Sequence, residues 1–245
     1  MRILITGSNG EIGSRISKKL QDSNKYEVFT TSFNESVSQK HLSIDLLVPG
    51  NPSKLIKHLR PDSLIHLAWH TDSKTYSNSN LNYKWLEASK ELLDEFYLVG
   101  GSKTLIAGSC AEYLTPQFNC KLSENARTST STPFAECKNE LLNYLKQNYS
   151  EEQFLWFRIF YMYSLQSRQQ KLIQKMLSQI YKKDRLMLNS PESVLDFVNT
   201  SDVVDLIEKS IQENTFGIIN FGTGTGDRVR DLAENLEHLL NRRCF

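Results

Sequence analysis

Short apolar runs alternate with longer amphipathic stretches along this chain, the pattern of strand–helix–strand units around a parallel sheet. Residues 2–6 read as a buried strand, and residues 11–23 as a helix with Ile12, Ile16 and Leu20 on one face. Further strands are expected at 26–31, 41–44 and 63–67, with a helical turn at 55–59. Residues 80–99 form a long amphipathic helix, with Leu81, Trp85, Leu92, Leu93 and Phe96 at helical spacing and Gly100-Gly101 as its stop. A strand at 104–107 runs into Gly108-Ser109, and the polar stretch 114–132 reads as a loop. Helix 133–148, strand 154–160 and helix 168–182 follow. Strands 194–198 and 217–220 then flank helix 201–212, and helix 227–240 closes the chain. Right-handed crossovers turn this order into an α/β fold built on a doubly wound parallel sheet.

Composition narrows the setting. A chain of 245 residues with 39% apolar content buries a core as one domain, or as one domain plus a lobe. With 29 basic and 28 acidic residues spread along it, the chain has no basic stripe of the kind that nucleic-acid binding needs. No apolar stretch approaches the roughly 18 residues of a membrane span, and Met1-Arg2 leads straight into the first strand, so no leader is expected. The four cysteines lack any CxxC pair and read as free thiols in the cytoplasm. The five histidines show no metal-ligand spacing, so no metal is expected.

The chemistry starts at the first strand–helix junction, Thr6-Gly7-Ser8-Asn9-Gly10-Glu11-Ile12-Gly13. Glycines at 7, 10 and 13 allow a tight turn, close approach of backbone to a pyrophosphate, and close helix–strand packing, while the helix start supplies N–H donors. The spacing is GxxGxxG rather than GxGxxG. It predicts a Rossmann-type dinucleotide-binding domain over 1–160. Residues 161–245 are expected to complete the sheet and form a small, shortened C-terminal substrate lobe. Where the second strand ends, Ser32 offers neither the acid expected for NAD nor the cation expected for NADP, so both cofactors stay open with NADP slightly favoured.

From Met1 to about Leu240 the chain resembles the extended short-chain dehydrogenase/reductases, the NAD-dependent epimerase/dehydratase family. Asp45-Leu46 looks like the pair at the adenine, Leu67-Ala68 after His66 like the fourth-strand motif lining the cofactor, and Asn80 like the asparagine that follows. The segments at 108–113, 156–163 and 217–220 are similar to the bacterial branch of 6-deoxytalose 4-dehydrogenases and nucleotide-sugar 4-ketoreductases. The resemblance implies Gly7, Asn9, Gly10, Glu11, Ile12, Gly13 and Ser32 as further cofactor contacts. It implies Ser109 as the hydroxyl that orients a sugar oxygen and Lys138 as the lysine at the nicotinamide ribose. It also implies a nucleotide-sugar substrate and a homodimer through the helices at 80–99 and 134–148.

One member of the family's set departs. The catalytic tyrosine is expected four residues before Lys138, and that position is Phe134, 25 residues after Ser109. Removing a positioned acid costs typically 10²–10⁴-fold in rate. Either another group gives the proton (Tyr113 or Tyr161 first, then Cys137 or a water on Ser109), or the protein is an impaired binder, a redox sensor or partner of an active enzyme, or another residue is the tyrosine's counterpart. Tyr161 and Arg168 are expected at the substrate, with Arg158 and Lys171 as further cations for a diphosphate. Leu195 stands where an arginine usually precedes Asp196-Phe197-Val198, and Tyr163-Ser164-Leu165 replaces the usual Tyr-Gly-Pro. The family normally continues beyond a helix such as 227–240, so the lobe is expected to be short.

Overall fold

The computed structural model describes residues 1–33, 40–114, 120–164, 171–182 and 186–240. The elements run β1 (Arg2–Thr6), α1 (Glu11–Asp22), β2 (Glu27–Ser32), β3 (His41–Ser43), α2 (Asn51–Leu59), β4 (Ser63–His66), α3 (Leu81–Leu98) and β5 (Lys103–Ser109). After a 3-10 turn at Cys110–Glu112 come α4 (Pro133–Asn148), β6 (Phe154–Ile159), β7 (Tyr161–Tyr163), α5 (Leu172–Lys182), β8 (Val194–Leu195), β9 (Phe197–Asn199), α6 (Thr200–Gln212), β10 (Gly217–Phe221), β11 (Asp227–Arg228) and α7 (Val229–Leu239).

Seven of these strands form one sheet in the order β10-β6-β5-β4-β1-β2-β3, every pair parallel. Both faces are covered, so β4 and β6 are buried along their whole length, as a two-sided parallel sheet demands. One face holds Leu64, Leu92, Phe96, Leu141 and Trp156 under α2, α3 and α4. The other packs Ile3, Ile5, Ile16, Val203 and Ile207 under α1 and α6. Chain order reverses between β1 and β4, and ligands of open parallel sheets bind outside the strand C-termini at such a switch point.

The C-terminal half contributes β10 to the main sheet and α6 to its face. It also forms two small pairs: β7 with β9, whose Met162 and Val198 join the α1/α6 side of the core, and β11 with β8, whose Leu195 packs on an apolar cluster of Met176, Leu186, Val229 and Ala233. The strand expected at 194–198 is therefore two strands in two sheets. Asp196 sits between them, its carboxylate accepting from Thr223 N (2.9 Å), Thr223 Oγ1 (2.7 Å) and Gly224 N (2.8 Å). The helical turn expected at 55–59 is the last part of a helix that starts at Asn51 with Pro52 in its first turn. The helix expected at 168–182 is described from Leu172, and Arg168 lies outside the described residues.

Candidate active site

The glycine turn is built by close backbone packing. Gly7 adopts φ +69°, and a Cβ there would stand 2.7 Å from Ala68 N. A Cβ on Gly13 would stand 2.2 Å from the Gly7 carbonyl oxygen. The N-terminus of α1, capped by Gly10, carries no side-chain cap. Its first-turn amides therefore face the space beyond the C-terminus of β1, a setting that fits a diphosphate. Glu11, in the same turn, brings a negative charge, but its carboxylate is met by Lys171 Nζ at 2.6 Å and Thr200 Oγ1 at 2.9 Å. The sequence placed Lys171 at a sugar diphosphate. Its ammonium instead neutralises an acid at the cofactor turn.

Beside the turn, Asn9 Nδ2 donates to Ser32 Oγ at 2.7 Å, and Ser32 Oγ lies 3.1 Å from His41 Nε2. This polar row, from the glycine turn across the end of β2 to the first residue of β3, stands where an adenosine ribose is expected. Asp45 caps its own turn through Leu47 N (2.9 Å), and Leu46 is buried in the core. Across the switch point, the Leu67 and Ala68 amides donate to Thr6, to its carbonyl and hydroxyl respectively. His66 is buried between Thr6 Oγ1 (2.7 Å) and Ser89 Oγ (2.8 Å), and burial together with the Lys138 charge lowers its pKa to about 3. It is a neutral packing residue at the end of β4. Asn80 is exposed at the start of α3, whereas Asn82 is fully buried and joins the Trp69 indole (2.8 Å) to the Tyr76 carbonyl (2.6 Å).

Ser109 ends β5, two strands from Gly7 in the sheet and so roughly 10 Å away at about 4.8 Å per strand. Its hydroxyl accepts from Ala111 N at 3.2 Å, and its amide donates to Glu112 at 2.7 Å, a reciprocal capping box. Phe134 lies in the first turn of α4, its ring edge-on to Tyr76 at 5.0 Å between centroids and its amide bonded to the Ser77 carbonyl. One turn further, Lys138 is buried. Its ammonium donates to the Ala107 carbonyl at 2.8 Å and stands 3.6 Å from the Trp69 ring centroid, and desolvation lowers its pKa to about 7. Burial also pushes the Cys110 thiol and the Tyr161 hydroxyl up to about 12.

The expectation for Arg158 is corrected by its surroundings. Arg158 is 2% exposed, and its Nε is 2.7 Å from the fully buried Glu112 carboxylate, which also accepts from Trp156 Nε1 at 3.0 Å. Its Nη1 donates to the Tyr113 hydroxyl (3.0 Å) and the Glu124 carbonyl (2.9 Å). The Tyr113 hydroxyl in turn donates to Asn220 Oδ1 at 2.6 Å. These side chains form a closed network that fastens the 122–129 segment to the sheet, and no cation in it is left for a diphosphate. Tyr161 is 46% exposed on β7, its ring near Phe197. Glu112, Trp69, Tyr76, His41 and Asn82 went unremarked in the sequence. Only Glu112 carried a legible signal, the Ser-x-x-Glu of a capping box.

Residues 3–222 match the model of the NAD dependent epimerase/dehydratase family. The chain belongs to that family. Its coenzyme is accordingly a nicotinamide dinucleotide, in keeping with the glycine turn. Among this family's members the chain is similar to dTDP-6-deoxy-L-talose 4-dehydrogenase (NAD(+)) of Aggregatibacter actinomycetemcomitans, at 26% identity over 98% of this chain and 92% of that protein. It is also similar to GDP-6-deoxy-D-talose 4-dehydrogenase of the same organism, at 25% identity over 96% and 79%. In fold it matches a UDP-glucose 4-epimerase of Thermus thermophilus in complex with NAD, with a TM-score of 0.83 at 19% identity over 99% of this chain and 84% of that one. A dTDP-4-dehydrorhamnose reductase from Clostridium acetobutylicum matches with a TM-score of 0.81 at 19% identity over 99% of this chain and 81% of that one. No described helix is long and apolar enough to cross a membrane.

Proposed function

We propose that this chain is an NAD-dependent oxidoreductase acting at C4 of a nucleotide-linked 6-deoxyhexose, interconverting the 4-hydroxyl and the 4-ketone. The observation that carries the reading is the uncapped glycine turn and the Ser109 hydroxyl standing two strands apart at the C-terminal end of one sheet. The printed names of the two curated relatives support C4 and the 6-deoxy sugar, and one of them names NAD(+). NAD rather than NADP is also supported by Ser32, whose hydroxyl meets Asn9 and His41, neither of which carries the fixed positive charge that would hold a 2′-phosphate.

In this reading the amides at Gly10–Gly13 hold the diphosphate, Asn9, Ser32 and the Asp45-Leu46 turn line the adenosine end, and Leu67-Ala68 lie under the cofactor's middle. The coenzyme supplies or takes a hydride when bound. Ser109 orients the sugar oxygen and Tyr161 lines the open side for the sugar nucleotide, for which the sequence also offers Arg168. Lys138, beneath Trp69, sets the positive field under the nicotinamide end and orders the ribose through that ring. Tyr113, with its hydroxyl committed to Asn220 and Arg158, supports the wall instead of exchanging a proton.

The test has two arms. Tryptophan fluorescence titrated with NAD+, NADH, NADP+ and NADPH should give saturable binding, tighter for the NAD forms. Absorbance at the nicotinamide band should then rise when NAD+ is mixed with dTDP-6-deoxy-L-talose or GDP-6-deoxy-D-talose. Absence of binding to all four coenzymes ends the reading. Tight coenzyme binding with no turnover of either sugar turns it toward a coenzyme-sensing protein, the outcome that Phe134 makes worth measuring.

A further inference from the structure

Reduction of a ketone adds a hydride to carbon and a proton to oxygen, so the site needs a proton donor as well as the coenzyme. Phe134 has none, the Tyr113 hydroxyl is engaged at both ends, and the Lys138 ammonium is held by the Ala107 carbonyl under Trp69. Tyr76, on the segment between β4 and α3, stands edge-on to the Phe134 ring at 5.0 Å and 88°. Its backbone is pinned from three directions. Its amide donates to the Asp72 carbonyl, its carbonyl accepts from Asn82 Nδ2, and the next carbonyl, Ser77, accepts from the Phe134 amide.

Tyr83, Tyr97, Tyr113, Tyr144 and Tyr149 each spend the hydroxyl on a carboxylate, hydroxyl, amide or carbonyl oxygen. Among the described residues the Tyr76 hydroxyl makes no hydrogen bond, although the residue is half-buried. Burial above all raises its pKa, so at neutral pH it is a protonated phenol on a ring packed against Phe134.

We propose that the Tyr76 hydroxyl is the proton donor of this site, standing in for the hydroxyl that Phe134 lacks. The inference rests on the function proposed above. In the reducing direction the carbonyl carbon gains the coenzyme's hydride, the C=O π pair takes the Tyr76 proton, and the resulting phenolate is reprotonated by water. In the oxidising direction the phenol first gives its proton to water, and the phenolate then takes the carbinol proton as the hydride passes from carbon to the oxidised coenzyme.

Tyr76→Phe removes a hydroxyl with no internal partner, so the fold should hold. Turnover of dTDP-6-deoxy-L-talose should fall about 100-fold or more, with NAD+ affinity within about twofold of wild type and an unchanged melting temperature. The corresponding dTDP-linked 4-keto sugar should bind the coenzyme-free variant roughly three- to tenfold more weakly in calorimetry, because one hydrogen bond is lost. Adding Phe134→Tyr to Tyr76→Phe should restore at least about tenfold of the lost turnover. If Tyr76→Phe melts early, Tyr76→Trp, which keeps an aromatic ring without the phenol, is read in the same way. Wild-type turnover in Tyr76→Phe overturns the proposal, and so does a loss seen with Tyr161→Phe but not with Tyr76→Phe. A wild-type chain that binds neither coenzyme nor sugar nucleotide overturns the proposed function first and this proposal with it, whereas an active wild type with an equally active Tyr76→Phe overturns this proposal alone.

Discussion

The Lys138 ammonium stands 3.6 Å from the centre of the Trp69 ring, farther inside the protein than a lysine normally goes. A ring face and one carbonyl oxygen replace its water. The nearest acid with an effect on it, Glu112, is already engaged by Arg158. Desolvation therefore dominates, and a group that ordinarily titrates near 10.5 does so at about 7.

That displacement ties stability to pH in a definite direction. Between about pH 7 and pH 10.5 the unfolded chain holds the Lys138 proton and the folded chain has released it, so this residue makes stability rise with pH across that window. Below pH 7 both states are protonated and the burial penalty on the charged form is complete. Urea midpoints at about pH 6.5, 8 and 9.5 should climb more steeply for wild type than for Lys138→Met, and parallel curves would refute the assignment.

Glu112→Gln should be among the most destabilising single changes in the chain. The amide keeps the shape of the carboxylate but strands the Arg158 guanidinium, 2% exposed, without a counter-charge. Breaking a buried pair from one side costs about 3–5 kcal/mol, enough to lower the melting temperature by roughly 10 °C in a chain of this size. A shift under about 2 °C in calorimetry would show that the pair is not needed.

Gly13→Ala should damage the fold and the coenzyme site together. Its Cβ would meet the Gly7 carbonyl oxygen at 2.2 Å, and both partners are backbone, so neither can turn aside. Gly10→Ala meets the same oxygen at 3.2 Å and should be tolerated in stability while weakening coenzyme binding. Equal melting temperatures for the two variants would contradict the packing described.

Phe134→Tyr separates two accounts of the missing hydroxyl. If Tyr76 already supplies the proton, a second phenol 5.0 Å from its ring should change turnover by less than about tenfold. A gain of about a hundredfold would mean that the wild-type site has no working donor. The initial rate with NAD+ and dTDP-6-deoxy-L-talose decides between them.

Much of this architecture can be read from residue order, because parallel strands buried on both faces leave unbroken apolar runs such as Ile3-Leu4-Ile5 and Phe154-Leu155-Trp156-Phe157. The turn at Gly7–Gly13 and the helix starting at Pro133 are equally local signals, and both stand where the sequence places them. What cannot be read is long-range pairing. Arg158 looks like a ligand cation until Glu112, 46 positions away, is found against it, though a charge inside an otherwise apolar strand must be paired somewhere. The break at Asp196 depends on a loop 27 residues later. Tyr76 lies in a polar stretch without periodicity, so only the folded chain shows its ring against Phe134.

The Glu112 network makes the site's two walls unequal partners in any accommodation of a sugar. On one side, Ser109, Tyr113, Glu124, Arg158 and Asn220 are locked so that none can yield without abandoning a charge. On the other, residues 71–75 are exposed and bonded mainly to one another. Under the proposed function, differences in sugar size would be absorbed on the flank that carries Tyr76, and broader substrate tolerance would evolve there first.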